Sequence, residues 1–332
     1  MPTKKLPKKV RVSIGSAIVL GLSKGWLDAL PTTIYMLTYK RGKCSASCAF
    51  CPQSKTSSGR ADMLSRITWP EFPIVEVITH IADAYKKGNV LRACIQALNY
   101  PNVQKDMINI AKKIRASCDI PISVSCQPLT RETMVTLAEA GVNRVSIAMD
   151  AVTNELFDVV KGATVGGPYK WENHIAALKE AVEIFGRNNV STHLIAGLGE
   201  REEDFVKLVQ TCVDIGVYPA IFAFTPIPGT IMEHNSPPPI DYYRRLQLAQ
   251  YLIINRFSRY EKMKFEKGCL IDFGLEKDNL LRTVRSGEPF RTSGCHGCNR
   301  PYYNERPSGP VYNYPRKLTG AEVMEIEKVL CL

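Results

Sequence analysis

Three of the eleven cysteines lie within one short stretch, KCSASCAFCPQS, at Cys44, Cys48 and Cys51. Three thiolates at this C-x3-C-x2-C spacing can occupy three corners of a cubane iron–sulfur cluster. The fourth iron then has no protein ligand and can hold a substrate or a cofactor. The alternative is a structural zinc site, but zinc normally takes four ligands and no histidine lies at a suitable local spacing.

A second cysteine pair, Cys295 and Cys298, lies near the other end of the chain in FRTSGCHGCNRPYYNERPSG. A C-x2-C pair on a loop is half of a metal site. We expect Cys269 to supply a third ligand, with His296 and Cys331 as weaker candidates. The pair therefore predicts an auxiliary iron–sulfur cluster held by Cys269, Cys295 and Cys298, with a half-zinc site or a redox dithiol as alternatives.

The composition is that of a folded protein: 332 residues, 45% hydrophobic and 23% charged. These values exclude a disordered or collagen-like chain. An odd number of cysteines without an export signal favours metal ligands in a reducing compartment over disulfides. No apolar run is long enough to span a membrane and no signal peptide pattern is present, so we expect a cytoplasmic protein.

The formal net charge of +11 favours an acidic partner, which can be a nucleic acid, an anionic membrane or an acidic protein. The alternative is a solvated positive face that serves solubility. The excess falls in two clusters, the first of Lys4, Lys5, Lys8, Lys9 and Arg11, and the second of Arg282, Arg285, Arg291, Arg300, Arg306, Arg316 and Lys317.

Six short apolar runs alternate with six segments of helical period, which predicts parallel strands joined by right-handed crossovers. We expect a partial (β/α)6 TIM-type barrel in an α/β protein, although a doubly wound open sheet fits the alternation equally well. The expected strands are 32–38, 92–98, 120–127, 143–149, 190–196 and 219–225, and the expected helices are 73–87, 103–116, 131–140, 153–161, 171–187 and 201–216.

Changes in composition and in hydrophobic periodicity divide the chain into three parts. We expect a basic N-terminal segment over residues 1–31, the barrel core over 32–238 and a C-terminal extension over 239–332. A Pro/Gly-rich break precedes the extension, which contains an amphipathic helix over 241–260 and the second cysteine pair. Long irregular segments of this kind are usually functional or disordered, and the aromatic content here favours order.

The first cysteine triplet and its context resemble the radical S-adenosylmethionine (SAM) superfamily. The triplet follows the first predicted strand, and HLIAGLGE (193–200), FTPIPGT (224–230) and QALNYP (96–101) resemble motifs of the fifth, sixth and second strands of that superfamily. Gln127 and Asp150 stand at strand ends that face a barrel mouth. The residues expected to contact the cofactor are Phe50, Gln96, Gln127, Asp150, Gly197, Glu200 and Pro226.

The resemblance implies two cofactors, a [4Fe-4S] cluster on Cys44, Cys48 and Cys51, and SAM bound to its open iron. One electron from the reduced cluster then cleaves SAM, and the 5′-deoxyadenosyl radical removes hydrogen from an unactivated carbon. Asp150 is expected to bond the SAM ribose, with capping of the next helix as the alternative. Arg300 and Arg306 are expected to be surface charges, with substrate or cluster binding as the alternative.

Within the superfamily, RACIQALNYPN, VSCQPLT and VSTHLIAGLGE are similar to three segments of biotin synthase. Each of those segments supplies one cysteine of a second cluster in that enzyme. Cys94 and Cys126 keep two of these positions, and Ser191 replaces the third. The alternative is that Cys94 and Cys126 are small apolar core residues.

The chain most resembles one component of the two-protein, archaeal-type lipoyl synthase. That resemblance implies a sulfurtransferase that inserts sulfur into a protein-bound octanoyl chain. The implied partners are an octanoylated lipoyl carrier protein, a second radical SAM component and an electron donor. The alternatives are a biotin synthase-like or other radical SAM enzyme, a nucleic-acid-modifying radical SAM enzyme, and a non-catalytic iron–sulfur scaffold; no RNA-binding module is visible.

Overall fold

The computed structural model describes residues 7–332 and is built around one eight-stranded sheet with two short hairpins beside it. The strands are β1 (Lys9–Val12), β2 (Thr33–Thr38), β3 (Met63–Leu64), β4 (Ile67–Thr68), β5 (Glu71–Pro73), β6 (Arg92–Gln96), β7 (Ile122–Cys126), β8 (Val142–Ile147), β9 (Val190–Ala196), β10 (Val217–Ala223), β11 (Lys264–Glu266) and β12 (Cys269–Asp272).

The helices alternate with the strands through the first two thirds of the chain. They are α1 (Ile14–Val19), α2 (Ile74–Lys86), α3 (Val103–Arg115), α4 (Arg131–Glu139), α5 (Asn154–Lys161), α6 (Trp171–Phe185), α7 (Glu202–Ile215), α8 (Ile240–Ile254), α9 (Lys277–Arg285) and α10 (Gly320–Val329). Within residues 7–332, no helix combines the length and the apolar character that crossing a bilayer requires.

The six parallel strands follow one another across the sheet in chain order: β2, β6, β7, β8, β9 and β10. A doubly wound sheet would reverse its strand order at a switch point, and this sheet does not. The structure therefore confirms the expected partial TIM-type barrel. Such a sheet brings the carboxyl end of every strand, and the loop that follows it, to one rim.

The six parallel strands and the helices between them form close to where the sequence periodicity places them, because they carry their own boundary signals. The Thr130 side chain caps α4 by accepting a hydrogen bond from the backbone of Thr133. Gly216 ends α7 in the left-handed conformation, with a φ of 90°. Strand β2 is buried along its whole length, as expected of a parallel strand covered on both faces.

The N-terminal segment contributes a strand that the sequence analysis did not predict. Strand β1 pairs antiparallel with both β2 and β5 and extends the sheet beyond β2. Its buried Arg11 donates to Glu71 and to the Ala61 carbonyl. A four-residue strand with two basic side chains lacks the apolar run that marks the others. Lys4 and Lys5 of the first basic cluster lie outside the described residues.

Candidate functional site

The cysteine triplet lies on the loop after β2, at the rim formed by the carboxyl ends of the strands. The backbone N–H of Asn99, which follows β6, donates to the Cys44 sulfur at 3.1 Å. The N–H of Ala46 approaches the same sulfur at 3.5 Å. Cys44, Cys48 and Cys51 all line one cavity inside the barrel. We call these three residues the rim triad.

A buried ion pair stands beside the rim triad. Lys161 is fully buried, and its ammonium donates to Asp150 at 2.7 Å and to the Ala148 carbonyl at 2.7 Å. Burial raises the pKa of the Cys48 thiol to about 12, and the nearby Lys161 charge opposes that rise. Burial also raises the pKa of the Cys51 thiol.

The donor set of the rim triad fits an iron–sulfur cluster. Three thiols on one loop provide soft ligands for iron, and N–H groups directed at sulfur stabilise the thiolate form. The fully buried Lys161 ammonium adds a compensating positive charge beside the three thiols. Cys44, Cys48 and Cys51 are therefore the residues that would hold the cluster.

The expected cofactor residues divide into two groups. Four of them line the cavity, namely Phe50, Gln96, Gln127 and Asp150. Gly197, Glu200 and Pro226 are not among the residues that line it. The Glu200 carboxylate instead accepts the backbone N–H groups of Gly197 at 2.7 Å and Leu198 at 2.9 Å, and the Tyr242 hydroxyl also donates to it. Glu200 thus shapes the loop after β9.

Asp150 does not cap the following helix, which was the alternative to its expected role. Thr153 caps α5 by accepting from the Leu156 N–H. Asp150 instead has a φ of 66° and directs its carboxylate to Lys161. Gln127 joins the same network, since its side-chain oxygen accepts from Lys161 at 3.2 Å.

The opposite end of the barrel is closed by residues 293–300, which carry Cys295 and Cys298; we call this segment the cysteine loop. It docks on the amino ends of β2 and β6, and on the middle of β10, through hydrogen bonds. Those bonds join Thr32 and Thr33 to the Gly297 carbonyl at 2.7 Å each, Arg92 to the His296 carbonyl at 3.1 Å, and the Ile221 N–H to the Ser293 hydroxyl at 2.9 Å.

Gly297 allows the cysteine loop to pack closely against the strand ends. Gly297 has a φ of 80°, and a Cβ there would stand 3.0 Å from the Cβ of Leu91, just before β6. A side chain would therefore be strained and crowded at this position. The cysteine loop can approach the strand ends closely because residue 297 has none.

Cys94 on β6 lies between the two cysteines of the loop. In the strand register, Cys94 has Tyr35 of β2 on one side and Ser123 of β7 on the other. The Cys298 sulfur lies 3.3 Å from the Tyr35 hydroxyl. The Ser123 hydroxyl donates to the Cys295 sulfur at 3.7 Å. All three cysteines line the cavity, and we call them the floor thiols.

The structure does not bring Cys269 to this group, contrary to the sequence-based expectation. Cys269 is exposed on β12, whose hairpin with β11 lies outside the barrel. The next residue, Leu270, donates its N–H to Glu202 at the start of α7. His296 and Cys331, the weaker candidates, are exposed and do not line the cavity.

Arg300 is the main functional candidate that the sequence analysis placed wrongly on the surface. It is 8% exposed and lines the cavity, with its guanidinium carbon 3.8 Å from the centre of the Phe222 ring. Its backbone N–H donates to the Tyr35 hydroxyl at 3.1 Å. A basic residue in a Gly- and Pro-rich segment has no local signal of burial. Arg306 is exposed, as expected.

The other two residues of the biotin synthase-like pattern, Cys126 and Ser191, also line the cavity. Burial raises the pKa of Cys126 to about 12. The pKa of Cys94 is raised by burial and then by the charges of Cys295 and Cys298. His193 on β9 is held neutral, because burial lowers its pKa to about 4.

One cavity of about 270 Å³ connects the rim triad to the floor thiols. Most of its surface is apolar, with Leu37, Ile195 and Phe222 among the lining residues, while Ser125, Ser146, Ser191 and His193 contribute polar groups. Asn99, which contacts Cys44, follows Cys94 by five residues. At roughly 3.3 Å per residue, the α-carbons of Cys94 and Asn99 are separated by no more than about 17 Å.

Within residues 7–332, no three side chains of His, Cys, Asp or Glu are grouped closely enough to hold a single metal ion. A cubane cluster is held differently, because each thiolate ligates a separate iron atom. The cysteines that hold a cluster therefore stand farther apart than the ligands of a single ion.

The fold and the rim triad define an α/β-barrel protein with a three-cysteine loop at the catalytic end of its strands. Residues 41–212 match the family described as the Radical SAM superfamily. This match covers more than half of the 332 residues. The chain therefore belongs to the radical SAM superfamily.

Among curated proteins, the chain is similar to biotin synthases. It is 28% identical to that of Hydrogenobaculum sp. (strain Y04AAS1) over 205 residues, which are 61% of this chain and 58% of the relative. It is 26% identical to that of Aquifex aeolicus (strain VF5) over 207 residues, again 61% and 58%. The matched part thus spans less than two thirds of these relatives.

Among solved structures, the chain is similar to methylornithine synthase, with a TM-score of 0.52 and 14% identity over 67% of this chain and 62% of that chain. It is also similar to the FeFe-hydrogenase maturase HydG from Carboxydothermus hydrogenoformans, with a TM-score of 0.52 and 15% identity over 68% and 52% of the two chains. At these identities the likeness shows the fold alone.

Proposed function

We propose that this protein is a radical SAM sulfurtransferase that inserts sulfur into an octanoyl chain carried on a lysine of a lipoyl carrier protein. The observation that carries the proposal is the single cavity with thiols at both ends. A substrate in that cavity would lie between the site of radical formation at the rim and a source of sulfur at the floor.

The bound groups would supply both halves of the chemistry. When bound, SAM and its cluster would supply a radical able to take hydrogen from carbon, and a second cluster would supply the sulfur and accept the electron released as the C–S bond forms. The residues of the protein would bind, orient and shield the substrate. The buried ion pair of Lys161 and Asp150 would stiffen the rim where the radical forms.

The cavity walls support an aliphatic substrate. Apolar groups make up most of the cavity surface, with Leu37, Ile195 and Phe222 among the lining residues. Polar side chains, including Ser125, Ser146 and His193, line part of it as well. An octanoyl chain has no polar group along its carbons that would need a hydrogen-bond partner. Excluding water from this space would also protect a reactive carbon radical.

The charge around the rim supports an acidic protein as the carrier of that chain. Residues 40–61, which include the rim triad, contain five basic residues and no acidic one. Arg41 and Lys55 are exposed within this segment. Positive charge at the entrance would steer an acidic carrier domain towards the cavity. The proposal further includes a second radical SAM component and an electron donor as partners.

The test is an anaerobic assay of the reconstituted protein with SAM, dithionite and an octanoyl-lysyl carrier peptide, alone and with the second component. The expected products are 5′-deoxyadenosine and a peptide in which C–H bonds have been replaced by C–S bonds, detected by mass spectrometry. Formation of 5′-deoxyadenosine without sulfur in the peptide would reject the substrate. No 5′-deoxyadenosine under any condition would support a scaffold instead.

A second candidate is a biotin synthase-like reaction, which the 28% identity to a biotin synthase favours. Dethiobiotin in place of the carrier peptide distinguishes the two candidates. Sulfur insertion into dethiobiotin alone would replace the lipoyl proposal. The nucleic-acid alternative predicts retention on RNA at physiological salt, where weak electrostatic binding is lost.

A further inference from the structure

We propose that Cys94, Cys295 and Cys298 together hold a second iron–sulfur cluster at the floor of the barrel. This ligand set combines one cysteine of the barrel wall with two of the C-terminal cysteine loop. It replaces Cys269 by a residue 201 positions before Cys295 in the chain. The inference deepens the proposed function, since it identifies the residues that would hold the sulfur source.

The first argument is the position of the three sulfurs. Tyr35, Cys94 and Ser123 are neighbours in the register of three adjacent strands. The sulfurs of Cys298 and Cys295 contact the two flanking hydroxyls, at 3.3 Å from Tyr35 and 3.7 Å from Ser123. Cys94 lies between these contacts and lines the same cavity. The three thiols therefore surround one place at the floor.

The second argument is the chain of hydrogen-bond donors behind each loop sulfur. Arg92 donates to the Ser123 hydroxyl at 2.8 Å, and that hydroxyl donates to Cys295. The N–H of Arg300 donates to the Tyr35 hydroxyl, which leaves the hydroxyl proton free to point at Cys298. Donors directed at sulfur stabilise thiolate ligands and tune the metal they hold.

The third argument is charge. Arg92 and Arg300 are each 8% exposed, and neither has a carboxylate among its hydrogen-bond partners in the part of the chain that the structure describes. Two buried guanidinium groups beside neutral thiols would be costly. Three thiolates and the sulfides of a cluster would add negative charge beside both groups, of which Arg300 also has the buried Glu305 carboxyl in its vicinity. A purely apolar core would not require either arginine.

The loop is also shaped to admit the sulfur of Cys298. A Cβ on Gly294 would stand 3.0 Å from that sulfur, so a side chain at residue 294 would displace it. The site is therefore complete only when the cysteine loop is docked on the strand ends. Three cysteines leave one of four irons without a thiolate, as in the rim triad.

The test measures iron and sulfide per chain in the background Cys44→Ala/Cys48→Ala/Cys51→Ala, so that only the second site contributes. Anaerobic reconstitution with iron and sulfide is followed by metal analysis and by EPR of the dithionite-reduced protein. We expect about four irons per chain in this background. Adding Cys94→Ala or Cys295→Ala should remove most of that iron and the EPR signal.

Two matched controls are available. Cys126→Ala removes another buried cysteine that lines the same cavity, and Cys269→Ala removes the exposed cysteine of the sequence-based set. Both should retain the iron of the background. Cys94→Ser, with circular dichroism, shows whether any loss follows from misfolding, because serine keeps the volume and lacks the thiolate.

The inference would be overturned by a background protein that binds no iron, or by Cys94→Ala retaining it. Loss of iron in the folded Cys126→Ala or Cys269→Ala protein would also overturn the ligand set. These outcomes are independent of the substrate. A protein that holds the second cluster through Cys94 but transfers no sulfur to any acyl chain would refute the proposed function and leave this inference intact.

Discussion

The rim triad and the floor thiols are two groups of three cysteines in one cavity, but the chain assembles them differently. The rim triad spans eight consecutive residues on one loop. The floor thiols come from β6 and from a loop about 200 residues later, which is held by hydrogen bonds to the starts of β2 and β6 and to the middle of β10. The first depends on local sequence, and the second depends on the docking of the C-terminal extension.

The largest expected effect is a complete loss of SAM cleavage when the rim triad is removed, while the floor thiols still bind iron. Replacing the rim triad with alanine should abolish 5′-deoxyadenosine formation, because the open iron that binds SAM would have no ligands left. The same protein should keep about half of its iron, since the floor thiols are untouched. Metal analysis and chromatography of the reaction measure both quantities. Nucleoside production by this variant would show that SAM is cleaved elsewhere.

The next largest effect concerns the ion pair that braces the rim. Lys161→Met should lower the free energy of unfolding by about 3–5 kcal/mol, because the Asp150 carboxylate is then buried without its partner. Urea unfolding followed by circular dichroism measures the change. The double variant Lys161→Met/Asp150→Asn should recover much of the loss, since it removes both charges and asparagine tolerates the positive φ of residue 150. A single variant that costs under about 1 kcal/mol would contradict a structural role for the pair.

A smaller effect concerns the C-terminal extension, whose contribution to the free energy of unfolding should depend on pH. Burial raises the pKa of Glu305 to about 7, so the folded state holds its proton more tightly than the unfolded chain does. The contribution of Glu305 to the free energy of unfolding is complete below the ordinary pKa of a glutamate, and it is lost as the pH rises through about 7. The total loss is about 3 kcal/mol, at 1.36 kcal/mol per pH unit.

Glu305→Gln removes this titration and should be more stable than the wild type at pH 8 and similar to it at pH 4. Urea unfolding at both values tests the sign. Equal pH profiles for the two proteins would show that Glu305 is already ionised in the fold.

The smallest effect concerns the closure of the cysteine loop. Arg300 donates to the Ser293 carbonyl at 2.7 Å and stacks on Phe222. Arg300→Lys keeps the charge but loses the planar group, and should cost about 1 kcal/mol of unfolding free energy. Hydrogen exchange of residues 293–300 should increase while that of the rim loop stays unchanged. Faster exchange at both ends would show that the two regions are not independent.

The order of elements in the barrel was predictable from sequence because each element carries local signals. The helix expected over 131–140 is observed over Arg131–Glu139, where the Thr130 side chain caps its start. The helix expected over 241–260 ends earlier, at Ile254, where Arg256 adopts a φ of 60°. Strand β1 was missed because its four residues alternate basic and apolar side chains within a lysine-rich segment, which resembles a solvated tail.

The rim site was predictable for the same reason, since its three ligands are neighbours in the chain. The role expected for Glu200 was harder to judge, because its carboxylate has backbone partners that sequence does not reveal. Lys161 was not predicted at all. A lysine at the end of an amphipathic helix is normally exposed, and only the packing of α5 against the barrel buries it.

The sequence by itself determined the superfamily, the succession of strands and helices, and the three thiols that would hold the first cluster. These depend on residues within a few positions of one another, where spacing and periodicity carry the information. Only the tertiary structure decided that Cys94 joins Cys295 and Cys298, that Cys269 lies outside, and that Arg300 is buried. The physical reason is that contacts between distant segments are selected by packing and hydrogen bonding in the folded chain, which no local pattern records.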